Sequence, residues 1–124
     1  MIAIGNNKVR EKITRAYDCQ YITLIHPSSI IGNEVIIGTG TVVMAGAIIN
    51  SYSLIGKHSI INTGSIIEHD GAIGDFVHIS PKVSLAGNVR IGRSSWIGIG
   101  SVVIQGIKIG EETVIGAGSV VVKN

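Results

Sequence analysis

The sequence predicts a parallel β-solenoid, a chain wound into stacked coils of short strands and entered through a small strand–helix–strand segment. Three observations carry this expectation. The first is composition: Ile (25), Val (13) and Gly (17) make up 55 of the 124 residues, while Leu occurs 3 times. β-Branched side chains are stiff at χ1 and suit strands better than helices. The second is a repeat of six residues. The third is length, which is enough for one small domain.

The opening 24 residues stand apart. Residues 1–5 are a short apolar run, residues 7–16 carry helical spacing, and residues 20–25 read as a strand. They also hold a local basic excess, Lys8, Arg10, Lys12 and Arg15 against Glu11 and Asp18. The division expected is 1–24 as a strand–helix–strand remnant of an α/β unit and 25–124 as the solenoid.

From Ile25 every sixth residue to Val121 is aliphatic, seventeen positions without exception. The next residue is glycine eight times, at 32, 38, 56, 74, 92, 98, 110 and 116. Two positions before each aliphatic residue there is usually a small residue or Val, such as Ser53, Ser59, Ser65 and Val77. An α-helix needs a period of 3.6 and a plain strand 2.0. Six therefore reads as a short strand followed by a turn whose backbone favours a residue without Cβ. Residues two apart share a strand face, so the small and aliphatic residues point inward and the one between points out. Repetition without insertion stacks coil on coil at about 4.8 Å.

Sorted by stacking, one outward ladder is Val42, Ile60, His78, Trp96 and Val114, and a second is Ile30, Ile48, Ile66, Ser84, Val102 and Val120. A third runs from Ile36, Leu54 and Ala72 to Arg90 and Lys108. Apolar ladders of this size are not left to water. Either the N-terminal segment covers them or further copies of the chain do. Twenty-four residues are too few for two faces, which favours a homotrimer. Arg90 and Lys108 read as a solvated face.

Several classes are excluded. A net charge of +2 without a long basic tract gives no reason to expect nucleic-acid binding. Residues 35–56 are uncharged and long enough to span a bilayer. They contain four glycines and keep the six-residue period, so no membrane span is expected. The single cysteine, Cys19, has no internal partner, and no secretory leader is visible; a cytoplasmic location is expected.

Groups that titrate near neutrality are few: His26, His58, His69 and His78. His69 lies in a turn, flanked by Glu68 and Asp70, with small residues one coil away at Ser51 and Gly87. A neighbouring carboxylate orients an imidazole and raises its basicity, which suits a general base. On spacing alone, the same residues equally describe a solvated turn with incidental charges.

The run Asn62-Thr63 through Glu68-His69-Asp70, continued by Gly74-Asp75-Phe76-Val77-His78, Leu85-Ala86-Gly87-Asn88 and Trp96-Ile97-Gly98-Ile99, resembles a family of bacterial sugar acyltransferases. These are the sialic-acid O-acetyltransferase-like and UDP-amino-sugar N-acetyltransferase enzymes. The resemblance extends to Ile4-Gly5-Asn6-Asn7 and to Leu24-Ile25-His26-Pro27. It implies an all-β, single-stranded left-handed β-helix with three hexads per coil. It also implies transfer of an acetyl group from acetyl-CoA to a hydroxyl or amine of a sugar or nucleotide sugar. His69 is then the base, Asp70 its support and Asn62 a substrate-site residue. His78, Gly87, Ile99 and Ala117 fall where the family contacts acetyl-CoA, and His26 and His58 are structural or surface residues. His78 and His69 belong to different parts of the coil, so they are expected to meet only across subunits.

The resemblance further implies a fuller N-terminal unit with a glycine-rich turn, and a tail beyond residue 124. Gly71 stands where relatives often carry Cys. Two other classes compete. A zinc enzyme on the same scaffold would need three converging histidines; its usual close pair is missing, and no metal is expected. A non-catalytic trimeric solenoid, dependent on a partner for the substrate site, is the alternative that the short N-terminal segment favours.

Overall fold

A computed structural model describes residues Met1–Asn124. Seventeen two-residue strands, from Leu24–Ile25 to Val120–Val121, follow one helix, α1 (Asn7–Ala16). Each strand pairs in parallel with the strand eighteen residues on, as Leu24 with Val42 and His78 with Trp96. The result is a left-handed solenoid with three sheets and three strands per coil. The first face runs from Leu24–Ile25 through Ile60–Ile61 and His78–Ile79 to Val114–Ile115. The second runs from Ile30–Ile31 to Val120–Val121, and the third from Ile36–Ile37 to Lys108–Ile109. Strands occur throughout residues 35–56, and no helix is long and apolar enough to cross a membrane.

The hexad sets the core directly. Ile49, Ile61, Ile79 and Ile97 point inward and are fully buried. The residue two places earlier (Ala47, Ser59, Val77, Ser95) is buried as well, and where it is Ser or Thr its hydroxyl both donates and accepts. Ser59 Oγ donates to the Gly74 carbonyl at 2.9 Å and accepts from the Val77 N–H at 3.1 Å. Thr41, Ser53 and Ser95 repeat the pattern at the same offsets. Burying a hydroxyl without partners costs energy, so the small polar residue is tolerated because it ties one coil to the next.

The glycine after the aliphatic residue has a different cause from the one expected. Gly38, Gly56, Gly74 and Gly92 do not take the left-handed conformation. A Cβ on them would come within 2.5–2.8 Å of the next coil's backbone. They permit stacking at a tight corner. Gly110, at the end of the same column, meets nothing closer than 3.6 Å. The left-handed residue lies two places further on, and it is often not glycine: Tyr52, His58, Asp70, Phe76 and Asn88 all have positive φ.

The N-terminal segment differs from the strand–helix–strand expected of it. Residues 1–5 form no strand, and only Leu24–Ile25 of residues 20–25 is one. The sheets' backbone groups are already paired from coil to coil. Residues 1–5 instead lie across the outside of the first face, sharing a cavity with Val42, Ile60 and His78. The helix forms as the spacing predicts, capped by Asn6, whose Oδ1 accepts from Val9 N–H at 3.1 Å.

Helix α1 docks on the corner between the third and first faces. Arg10, 1% exposed, uses all five guanidinium hydrogens. It donates to the carbonyls of His58 (2.7 Å), Phe76 (3.0 Å), Ile4 (2.9 Å) and Gly5 (3.2 Å), and to Asn7 Oδ1 (2.8 Å). Asn7 Nδ2 takes the Ser94 and Ser95 carbonyls one coil on. Burial lowers the Arg10 pKa to about 10, so it remains a cation at neutral pH. Glu11 reaches Arg93 and Arg15. The segment covers one face in part: Ile60 is buried, while Ile30, Ile36, Leu54, Val102 and Val120 remain exposed.

Candidate active site

The turn between the second and third faces carries His69 and Asp70. Asp70 adopts φ 58°, a conformation Asp tolerates better than most residues, and its N–H is held by the Ser51 carbonyl at 3.1 Å. His69 Nδ1 lies 2.8 Å from Asp70 Oδ2, and both side chains are more than half exposed. A carboxylate can only accept, so Nδ1 carries the hydrogen, and in the neutral ring the lone pair is on Nε2. The ring rests on Gly87 of the next coil, where a Cβ would come 2.7 Å from both Cε1 and Nε2. Gly87 is therefore the seat of the imidazole. Beside it a groove of about 430 Å³ is lined by Tyr52, Asp70, Asn88 and Arg90.

The first face carries a second constellation. Asn62, His78, Trp96, Ile99 and Ala117 line one groove of about 380 Å³ that is mostly apolar. His78 and Trp96 stand on adjacent strands and stack with planes 2° apart and centroids 5.6 Å apart. Trp96 Nε1 donates to Ser80 Oγ at 2.8 Å, which fixes the indole. His78 Nε2 lies 3.1 Å from Asn62 Nδ2, and its Nδ1 lies 3.3 Å from the Gly5 carbonyl. The His78 pKa is lowered by burial, opposed by the bond to Gly5 and assisted by the charge of Arg10. The ring is neutral at physiological pH.

Asn62, His78, Ile99 and Ala117 thus come together, and His69, Asp70 and Gly87 come together, but the two groups do not meet within one chain. The second face separates them. His26 is exposed and bonds only to Ser28. His58 is buried between Phe76 and Tyr21, a structural position. The contribution of residues 1–5 to the surroundings of His78 was missed by the sequence reading. Nothing local signals a contact between residues 73 positions apart.

A left-handed solenoid of hexads is the architecture of the hexapeptide-repeat proteins. The model of the bacterial transferase hexapeptide (six repeats) matches residues 88–123. The acetyltransferase domain of PglB from Neisseria gonorrhoeae superposes with a TM-score of 0.97 at 39% identity, over 100% of this chain and 62% of that one. PerB from Caulobacter crescentus, solved with CoA and GDP-perosamine, gives 0.96 at 41%, over 100% and 61%. The GDP-perosamine N-acetyltransferase of Escherichia coli O157:H7 is 32% identical over 109 residues, 86% of this chain and 49% of that protein. The chain shares the hexapeptide-repeat β-solenoid of these sugar-nucleotide acetyltransferases, and spans about half to three fifths of their length.

Proposed function

We propose that this chain transfers the acetyl group of acetyl-CoA to an amine or hydroxyl of a nucleotide sugar. The observation that carries the reading is the His69–Asp70 pair at 2.8 Å, seated on Gly87 with both side chains more than half exposed. His69 Nε2 removes a proton from the acceptor as its nitrogen or oxygen attacks the thioester carbon. The C–S bond then breaks, and the proton returns to the departing CoA sulfur. Asp70 holds the imidazole in the required tautomer, and backbone N–H groups support the oxyanion. The likeness to perosamine N-acetyltransferases supports an amine as acceptor.

Asn62, His78, Ile99 and Ala117 form the donor groove in this reading, with Gly87 under the thioester end. Because His69 and that groove lie on opposite edges of the second face, the complete site is built between two copies. The exposed Ile30, Val102 and Val120 on that face support a homotrimer. Light scattering that finds only a monomer removes the trimer. The unpaired, exposed Cys19 supports a cytoplasmic location.

Calorimetric titration with acetyl-CoA is the first test. Saturable binding near one site per protomer is expected, lost in Ala117→Trp, which fills the groove. A folded trimer that binds no acetyl-CoA would falsify the donor assignment and leave the chain as a non-catalytic assembly module.

A further inference from the structure

The bonds around His78 form a directed chain. A backbone carbonyl only accepts, so the contact with Gly5 O at 3.3 Å requires the hydrogen on His78 Nδ1. Nε2 is then an acceptor, and it faces Asn62 Nδ2 at 3.1 Å. The Asn62 amide orientation is fixed independently, because its Oδ1 accepts from the Thr63 N–H at 2.8 Å. Asn62 Nδ2 is left with one hydrogen that has no protein partner, at the edge of the donor groove. At the other end, the Gly5 carbonyl is held by Arg10 Nη1 at 3.2 Å, and Arg10 is anchored to the His58 and Phe76 carbonyls of two successive coils.

We propose that Arg10, acting through the Gly5 carbonyl, is a positioning residue that sets the His78 tautomer and thereby aims the free Asn62 N–H into the donor groove. The inference rests on the acetyltransfer reading for its kinetic consequence, but not for its structural content. It assigns residues 1–5 a role in the site beyond covering the first face. It also removes His78 as a candidate proton acceptor, because both ring nitrogens are already committed. Detached from Gly5, the ring can exchange tautomers. A hydrogen on Nε2 would oppose the Asn62 amide and force it to rotate away from Thr63.

The test is long-range ¹⁵N–¹H correlation NMR of the histidine-labelled full chain above pH 7, with His78 assigned by His78→Gln. The wild type is expected to show a single Nδ1–H tautomer at His78. Arg10→Lys and a variant lacking residues 2–5 are expected to show a mixture of tautomers. In steady-state assays both should lose about 10–100-fold in kcat, with the acetyl-CoA KM within about twofold. Restoring the segment should restore both signals. An Nε2–H tautomer in the wild type overturns the proposal, even if the variants fail to fold. So does an unchanged tautomer without residues 2–5, or an unchanged kcat alongside a shifted tautomer. If the wild type itself shows no transferase activity, the spectra still decide the relay, and only the acetyltransfer reading fails.

Discussion

Two histidines of this chain sit on a glycine of a neighbouring coil, and they have opposite fates. The His58 ring lies on Gly40, where a Cβ would come 2.3 Å from Nδ1. It stacks on Phe76 at 5.1 Å and meets Tyr21 edge-on at 4.8 Å. Its Nδ1 is buried without a partner, and its pKa is lowered, first by burial. The His69 ring lies on Gly87 in the same manner, but no N-terminal segment covers it and Asp70 occupies its Nδ1. The backbone frame is shared: both corners carry a left-handed residue, His58 itself and Asp70. What differs is the cover. His58, closed in by Tyr21 and Arg10, is committed to stability, and His69, left open beside a carboxylate, has the freedom to do chemistry.

Substitutions at the two corners should therefore differ in how far they touch activity and stability. The largest effect expected is on activity in His69→Ala, a loss of about 10²–10⁴-fold with an unchanged thermal midpoint. Wild-type turnover in that variant would remove His69 as the base. At the closed corner, Arg10→Ala strands the His58 and Phe76 carbonyls, and a loss of about 1–3 kcal/mol for each carbonyl left without a partner is expected by denaturant titration. A loss below about 1 kcal/mol would mean the corner is no more than surface electrostatics. Ile61→Ala serves as the core control. Its side chain is fully buried, so a cost of about 2–5 kcal/mol is expected with no direct effect on the acetyl-CoA KM.

Gly87→Ala sharpens the comparison further. The three atoms nearest the new methyl all belong to the exposed His69 ring, which can swing away. Turnover should fall clearly while stability changes by less than about 1 kcal/mol. Gly92→Ala, whose methyl meets next-coil backbone at 2.5 Å, should do the reverse. Equal effects of the two on stability would show that the His69 ring is not free to move.

The smallest effect expected is pH-dependent stability. His58 and His78 have lowered pKa values in the fold, each first through burial. The unfolded chain then binds more protons below its ordinary histidine pKa of about 6.5. Their contribution to stability is complete above that pH and declines as the pH falls through it toward the lower folded values. Thermal midpoints should drop from pH 7.5 to 5.5, and less steeply in His58→Phe, which retains the stack on Phe76. A midpoint that rises on acidification would contradict the burial of both rings.

The glycine columns show how far sequence reasoning reaches. The period of six placed every inward residue, from Ile25 to Val121, and sorted the outward ones into three faces. It also found Gly38, Gly56, Gly74 and Gly92, but for the wrong reason. The need for glycine arises from the coil above, eighteen residues away, and not from the local turn. The His69–Asp70 contact was readable because the two residues are adjacent. The Asn62–His78 contact, between residues sixteen apart, could be grouped only by resemblance. The Gly5–His78 and Arg10–Phe76 contacts, 73 and 66 residues apart, leave no periodic trace.

The sequence by itself determined the solenoid, because a repeat of six with one inward aliphatic residue per strand admits only stacked coils as a way to bury that residue. It also determined which histidine has a carboxylate beside it. The tertiary structure decided which corner is covered and which is open, since that depends on where α1 docks. Docking is set by a single buried guanidinium with five acceptors: three come from its own segment, and only the stacked coils bring the other two, the His58 and Phe76 carbonyls, within its reach.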